Sequence, residues 1–214
     1  NALMRRMLSV DVGEPVADEF IPMLMEQMGF DAPEARSARP GRHQPDPDFR
    51  VLVIGAGLTG LLAAIKLREA GYSFTVIEKN PEVGGTWWEN TYPGVAVDTP
   101  SHFYSYSFAL NPDWSHYTPN GPEFQQYLLR IAEKYELRRH VVFDTRVLGC
   151  TWDEAAQCWN VEIQDANGTR IERANAVMNA HGPVNRWSWP KIPGLDRFKG
   201  AKMHTAGWDH SVSL

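Results

Sequence analysis

The spacing of apolar residues along the chain separates an amino-terminal stretch from a strongly patterned remainder. Val51 to Ile54 is a continuous apolar run, as expected for a strand buried on both faces of a parallel sheet. Leu58 to Ala70 follows with Leu61, Leu62, Ile65 and Leu67 at helical spacing, and Gly71 stands in the helix-ending position. Ser73 to Ile77 reads as a second strand, and so short a β-α-β unit implies a right-handed parallel crossover. Beyond it, Pro81 to Pro119 is rich in Gly, Pro, Tyr and Trp and has no period; connections this long inside a compact domain are usually functional.

The pattern then resumes. Pro122 suits a first helical turn, and Phe124 to Leu137 is predicted as a helix. Val141 to Phe143 is a short strand. Val147 to Trp152 and Cys158 to Gln164 alternate as an antiparallel hairpin, to which Thr169 to Arg173 adds a third strand. Ala174 to Ala180 reads as another buried strand, and the Trp- and Pro-rich tail from Gly182 to Leu214 is aperiodic. Upstream, Ala17 to Phe30 has apolar residues at helical spacing, with Asp18 as N-cap and Pro22 near the first turn. Asp31 to Asp48, with four prolines and few large apolar residues, reads as a linker or surface-draped arm.

Composition narrows the class. The chain is 43% hydrophobic and 22% charged, which excludes a disordered or collagen-like protein. A net charge of −5 argues against a broad electrostatic grip on nucleic acid. The apolar stretch from Val51 to Ile65 is interrupted by Gly55, Gly57 and Gly60, so no membrane span is expected. The first residues lack the apolar core and cleavage site of a secretory signal, which points to the cytoplasm. Cys150 and Cys158 are too few for a disulfide scaffold or a four-thiolate zinc site, and no metal site is expected. They flank a hairpin turn where a bridge is geometrically open, and a reduced pair is the expectation.

The candidate chemistry begins at Gly55, Gly57 and Gly60, a G-x-G-x-x-G spacing between the predicted strand and helix. Such glycines allow a tight turn, a close approach of pyrophosphate to backbone and close helix–sheet packing, while the helix N-terminus supplies N–H donors. Glu78 ends the second strand, where an acid binds ribose hydroxyls and favours FAD or NAD over NADP. Gly84 and Gly85 offer a second close approach, and Trp87, Trp88, Tyr92, Tyr104 and Tyr106 an aromatic surface. For any one of these rings ordinary core packing is the simpler role, but together they suit a cofactor larger and more aromatic than nicotinamide. Asp98 is a carboxylate on the same Gly- and Pro-rich loop.

The stretch EKNPEVGGTWWENTYPG with Asp98 resembles the flavin-binding loop of the class B flavoprotein monooxygenases, and within them the Baeyer–Villiger monooxygenases. FKGAKMHTAGWD, with Phe198, Gly200, His204, Trp208 and Asp209 in register, matches that family's fingerprint. The resemblance runs from about Arg50 to Trp208 and includes the KIPGL segment; residues 1–49 lie outside it. That extension, with the NAHG…N pattern at Asn179 to Asn185, is similar to the 4-hydroxyacetophenone monooxygenase branch.

The resemblance implies an α/β fold. A Rossmann-like FAD-binding domain, a parallel sheet with an inserted antiparallel β-meander, would occupy 50–182, after a helical extension and linker over 1–49 and before an interdomain linker over 183–214. It implies FAD and NADPH as cofactors, and a C4a-peroxyflavin that inserts one oxygen atom of O2 beside a ketone carbonyl to give an ester or lactone. Residue by residue, Gly55, Gly57, Leu58, Thr59 and Gly60 would meet the pyrophosphate, and Glu78 and Lys79 the adenosine ribose. Gly85, Thr86 and Trp87 would lie along the ribityl and phosphate region, Tyr104 near the flavin ring, and the Val147 backbone at adenine. Asp98 corresponds to the family's active-site aspartate, the one catalytic candidate here. Phe198, Gly200, His204, Trp208 and Asp209 would couple domain movement to cofactor handling.

No second glycine motif follows the fingerprint and no arginine follows Arg197, so the sequence reads as a part of the enzyme, its FAD domain incomplete and inactive by itself. His181, at a strand end, either touches the flavin region or caps the strand. The helix at Ala17 to Phe30 either mediates homodimer contacts or packs on the domain. An N-hydroxylating or sulfur-oxidising flavin monooxygenase remains the alternative, as does a flavin-binding module without catalysis.

Overall fold

The computed structural model describes residues 2–27, 45–184 and 186–213. They form two compact units, one drawn from within residues 1–42 and 97–119 and the other from residues 43–96 and 120–214.

The larger unit is built on a four-stranded parallel sheet. Its strands are β1 (Arg50–Ile54), β2 (Ser73–Ile77), β3 (Val141–Val142) and β7 (Ala176–Asn179), in the order β3-β2-β1-β7. β1 is central, aligning Val51 with Phe74 of β2 and with Ala176 of β7. Its apolar run is buried because layers cover both faces: Leu52 and Val53 are wholly inaccessible. On one side, Leu52 and Ile77 meet Val161, Ile163 and Ala174 of an antiparallel meander. The meander comprises β4 (Arg146–Asp153), β5 (Cys158–Asp165) and β6 (Gly168–Ala174). Packed against the strands is α3 (Leu58–Glu69), which buries Leu61, Ala63, Ala64 and Ile65. The longer α5 (Gly121–Lys134) lies beside α3 and buries Phe124, Tyr127, Leu128 and Ile131.

Most predicted elements appear within a few residues of their expected ends, and the differences have local causes. Helix α5 starts at Gly121 because the Asn120 side chain accepts the Glu123 amide at 2.8 Å and Pro122 needs no donor in the first turn. It stops short of Leu137 because Glu136 turns left-handed (φ 48°), and the buried Leu137 instead opens a 3-10 turn, Leu137–His140. The strand expected over Ala174 to Ala180 shortens to Ala176–Asn179, since Ala174 belongs to β6. It is also not buried as expected: β7 is the sheet's edge, and Met178 is 41% exposed. A bridge between Cys150 and Cys158 is ruled out by register. Cys150 faces Val161 and Cys158 faces Asp153, three positions apart on the ladder or about 10 Å.

Two helices are seen among the described residues of the smaller unit. α1 (Ala2–Val12) was not anticipated; α2 (Ile21–Gln27) follows a 3-10 turn at Asp18–Phe20. Leu8, Val16 and Ile21 form its buried core, with Leu24 and Met25 against them. Asp18 is not an N-cap: Ala17 holds that place, and the Asp18 carboxylate pairs with Arg5 at 3.0 Å. Residues 28–30 of the predicted helix and 31–44 of the predicted linker lie outside the described residues. In the stretch 97–119, Ser101 anchors an irregular path, its hydroxyl donating to the carbonyls of His116 and Tyr117. Among the described residues, no helix is long and apolar enough to cross a membrane.

Candidate functional site

The first-turn geometry after β1 explains each glycine of the motif differently. Gly55 N donates to the Ile77 carbonyl at 2.8 Å, which ties the turn to the end of β2. A Cβ on Gly60 would lie 1.9 Å from the Gly55 carbonyl oxygen, so only glycine lets α3 start this close to the loop. Gly57 is unlike Gly60. Its φ is −77°, and a Cβ there would meet nothing nearer than Gly85 Cα at 3.6 Å. The fold therefore tolerates a small side chain at Gly57. What its absence keeps open is the space ahead of the α3 N-terminus, where the first intrahelical bond runs from Leu61 N to Gly57 O. A helix N-terminus directs first-turn amides and positive dipole into such a space, an arrangement that suits a phosphate.

A second backbone segment closes on the first. Gly84 N donates to the Ala56 carbonyl at 3.0 Å, and Gly85 then passes Gly57 so closely that a Cβ on Gly85 would be 3.1 Å from Gly57 Cα. Gly84 has φ +128°, and a Cβ there would collide with Gln125 Oε1 at 2.0 Å. Gln125, on α5, donates through Nε2 to the Val83 carbonyl at 2.8 Å, while its buried Oε1 has no hydrogen-bond partner among the described residues. Gln125 thus seats the Gly84–Gly85 turn from below. It was not among the residues singled out from the sequence, because only the α5–loop contact gives it a role. Immediately after the turn, α4 (Thr86–Glu89) begins; Thr86 is exposed, and Trp87 is half-buried against Phe124 with ring centres 5.1 Å apart.

Glu78 stands at the end of β2 and is 3% exposed. Its Oε2 accepts the Ala56 amide at 2.7 Å and its Oε1 the Asn80 amide at 2.9 Å. The carboxylate therefore braces the glycine loop directly. Each oxygen keeps a further lone pair, so the same group can still accept ribose hydroxyls. Lys79 is committed to Glu89 at 2.7 Å, and Asn80 donates to the same carboxylate at 2.8 Å. Val147, on β4, packs its side chain into the core between sheet and meander, next to an irregularity of register between Val147 and Gly149.

Thus Gly55, Gly57, Leu58, Thr59, Gly60, Glu78, Lys79, Gly85, Thr86, Trp87 and Val147 all belong to the larger unit. Asp98 and Tyr104 belong to the smaller one. Asp98 is exposed, with the Thr99 hydroxyl 3.4 Å from its Oδ1, and the Tyr104 amide donates to the Pro100 carbonyl.

The tail carrying the fingerprint is also part of the larger unit, and it holds a compact aromatic cluster. The His204 ring stacks on Trp187, centroids 4.7 Å apart and planes at 15°, and Trp189 stands edge-on to Trp187 at 5.6 Å. His204 Nδ1 accepts the Ala206 amide at 3.1 Å, which leaves Nε2 to carry the proton of the neutral ring. A Cβ on Gly207 would press on Trp187 at 2.9 Å, and one on Gly200 would strike the half-exposed Phe198 ring at 2.6 Å. Trp208 is half-buried. Asp209 folds back on Ser211, whose hydroxyl and amide hydrogen bonds hold its carboxyl below the usual range. The tail is fastened to the loop after α4 by His210 Nε2 and Thr91 Oγ1, 2.8 Å apart. Trp187 and Trp189 are site residues that the motif alone does not mark.

Comparison with known proteins follows the same outline. A model of the NAD(P)-binding Rossmann-like domain matches residues 53–118. A Baeyer–Villiger monooxygenase of Streptomyces coelicolor is 44% identical over 77% of this chain and 31% of its own length. An uncharacterized monooxygenase of Sinorhizobium fredii is 36% identical over 98% of this chain and 31% of its own length, so the likeness takes in the amino-terminal extension as well. The crystal structure of OTEMO in complex with FAD and NADP superposes with a TM-score of 0.69 at 34% identity, covering 78% of this chain and 32% of that one. The chain spans about a third of the length of these relatives. Sequence and fold together identify it as a homologue of the Baeyer–Villiger monooxygenases.

Proposed function

We propose that this chain is the FAD-holding part of a Baeyer–Villiger-type monooxygenase, which uses NADPH and O2 to insert one oxygen atom beside the carbonyl of a small ketone in the cytoplasm. The observation that carries the reading is the pair of bare backbones at Gly57 and Gly85, which leave a cradle ahead of the α3 N-terminus with space a side chain would fill. OTEMO, a structural relative, binds FAD and NADP.

When bound, FAD supplies the redox and oxygen-transfer chemistry, and the protein supplies position and electrostatics. The Leu58, Thr59 and Gly60 turn would hold the pyrophosphate; Glu78, kept in place by the Ala56 and Asn80 amides, would accept the ribose hydroxyls. Gly85, Thr86 and Trp87 line the path toward the ring, Val147 offers its backbone to the base, and Tyr104 is the ring contact. Asp98 is the acidic group of the reaction centre, orienting a cationic partner outside this chain. In this reading residues 50–182 form the FAD domain, 183–214 the linker with the fingerprint, and 1–49 the extension.

Ketone-dependent NADPH oxidation by the protein carrying this chain, with an ester or lactone as product, tests the assignment. Oxidation of an amine or a sulfide in place of a ketone would move it to the heteroatom-oxidising flavin enzymes. FAD binding with no oxidation of any of these would make it a flavin-binding module.

A further inference from the structure

The Gly84–Gly85 turn has little of its own to hold it. Both residues take positive φ, +128° and +55°, and neither has a side chain to pack. Glycines also lose the most conformational freedom when they are ordered. The turn nevertheless approaches the first loop so closely that a Cβ on Gly85 would lie 3.1 Å from Gly57 Cα. Its anchors are therefore external. Gly84 N reaches the Ala56 carbonyl, and the carbonyl of Val83, one residue earlier, accepts Gln125 Nε2 at 2.8 Å.

The Gln125 amide fills the place of the side chain that Gly84 lacks: its Oε1 would be 2.0 Å, and its Cδ and Nε2 2.7 Å, from a Cβ there. One turn earlier on α5 the fit reverses. The Val95 side chain takes the place of a Gly121 Cβ at 2.8 Å, and the Gly121 amide donates to the Val95 carbonyl at 2.8 Å. Gly121 and Gln125 are four residues apart on one helix face, so a single stripe of α5 grips both ends of the segment from Val83 to Val95. Gln125 is only 8% exposed, yet its Oε1 has no hydrogen-bond partner among the described residues. Turning the amide over would set that oxygen against the Val83 carbonyl. A methionine or leucine would fill the volume without burying an unsatisfied acceptor, but neither could donate to Val83. An orphaned oxygen in a core calls for an explanation, and here it is that the amide is present for its N–H.

We propose that Gln125 is a positioning residue of the flavin site, holding the Gly84–Gly85 turn against Gly57 so that the cradle is formed before FAD arrives. The inference rests on the reading of that cradle as an FAD site. The Gln125 side chain, sealed beneath the turn, acts through Val83 and Gly84 and not by contact with the cofactor. An apolar residue of similar size exchanges one orphan for another, the Gln125 oxygen for the Val83 carbonyl, so the fold is kept while the turn loosens. FAD binding then has to order the turn, and affinity falls.

The test is Gln125→Met and Gln125→Leu in the protein carrying this chain, read by amide hydrogen exchange without flavin, by FAD titration and by the denaturant midpoint. Exchange of the Gly84 amide should quicken by about tenfold and FAD affinity should fall by about as much, the weight of one hydrogen bond. Exchange in β5 and the midpoint should stay as in the wild type. An affinity that falls only in step with the midpoint, or collapse of both variants, would make Gln125 a general core residue and overturn the proposal. Gly84 exchange and FAD affinity equal to those of the wild type would overturn it as well. If the folded wild-type protein binds no FAD, the cofactor assignment fails separately and Gly84 exchange alone decides. Faster exchange in both variants then upholds the grip of Gln125 on the turn, and unchanged exchange overturns it.

Discussion

The Glu78 carboxylate lies 2.7 Å from the Ala56 amide, so the acid that ends the second strand is also the brace of the glycine loop. Structure and ligand binding then share one side chain. Glu78→Gln keeps its size but offers one acceptor to two amides, Ala56 and Asn80. The expected loss of stability is about 1–3 kcal/mol, read from the denaturant midpoint. FAD affinity should fall with it; an unchanged midpoint would show that the brace carries no weight.

The two glycines at the start of α3 should behave oppositely. Gly60→Ala drives a methyl into the Gly55 carbonyl and should cost at least about 3 kcal/mol or prevent folding. Gly57→Ala meets only ordinary contact distance, so its cost should stay within about 1 kcal/mol while FAD retention is lost. Circular dichroism melts with flavin content measured on the same samples separate the two effects.

Asp98→Ala, in the protein carrying this chain, should leave FAD bound and impair turnover. Flavin content and kcat read the two properties independently. Loss of FAD with turnover per bound flavin intact would give Asp98 a structural place in its loop instead.

One histidine makes the fold sensitive to mild acid. His140 stacks on Phe74 at 4.6 Å, and burial, followed by the nearby Arg139 and Arg68 charges, lowers its pKa from the ordinary 6.5. The folded state therefore holds fewer protons than the unfolded chain below pH 6.5, and the stability His140 confers is full above that pH and falls as the pH drops through its lowered pKa. His140→Phe should reduce the loss of stability between about pH 7.5 and about pH 5.5, seen as a smaller shift in denaturant midpoint. Asp165 and Asp153, whose carboxyls are held low chiefly by Arg170 and by the Ala156 amide, respond only at more acidic pH.

What the sequence disclosed and what it hid divide along the range of the interactions. The β-α-β unit was legible because its signals are local: four apolar residues before Gly55, a helical period to Leu67, and Gly71 after it. The meander was legible from alternation with turns between. α1 was missed although Leu3, Met7 and Leu8 keep helical spacing, because the deeply buried Leu8 acquires meaning only from Val16 and Ile21. Asp18 looked like a cap because local preference says so, and its ion pair with Arg5 is a tertiary contact. At the site, the glycines and Glu78 were marked by motif spacing. Gln125 beneath Gly84 and Trp187 beneath His204 were not, since each pairing joins segments that only the fold brings together.

The central claim is that the cradle between Gly57 and Gly85 holds FAD. The most direct measurement is the visible flavin spectrum of the purified protein after incubation with FAD and removal of the excess, beside that of Gly57→Val. The account predicts flavin bound by the wild-type protein and none by a folded Gly57→Val variant. Equal flavin in both, or none in a folded wild-type protein, would contradict it.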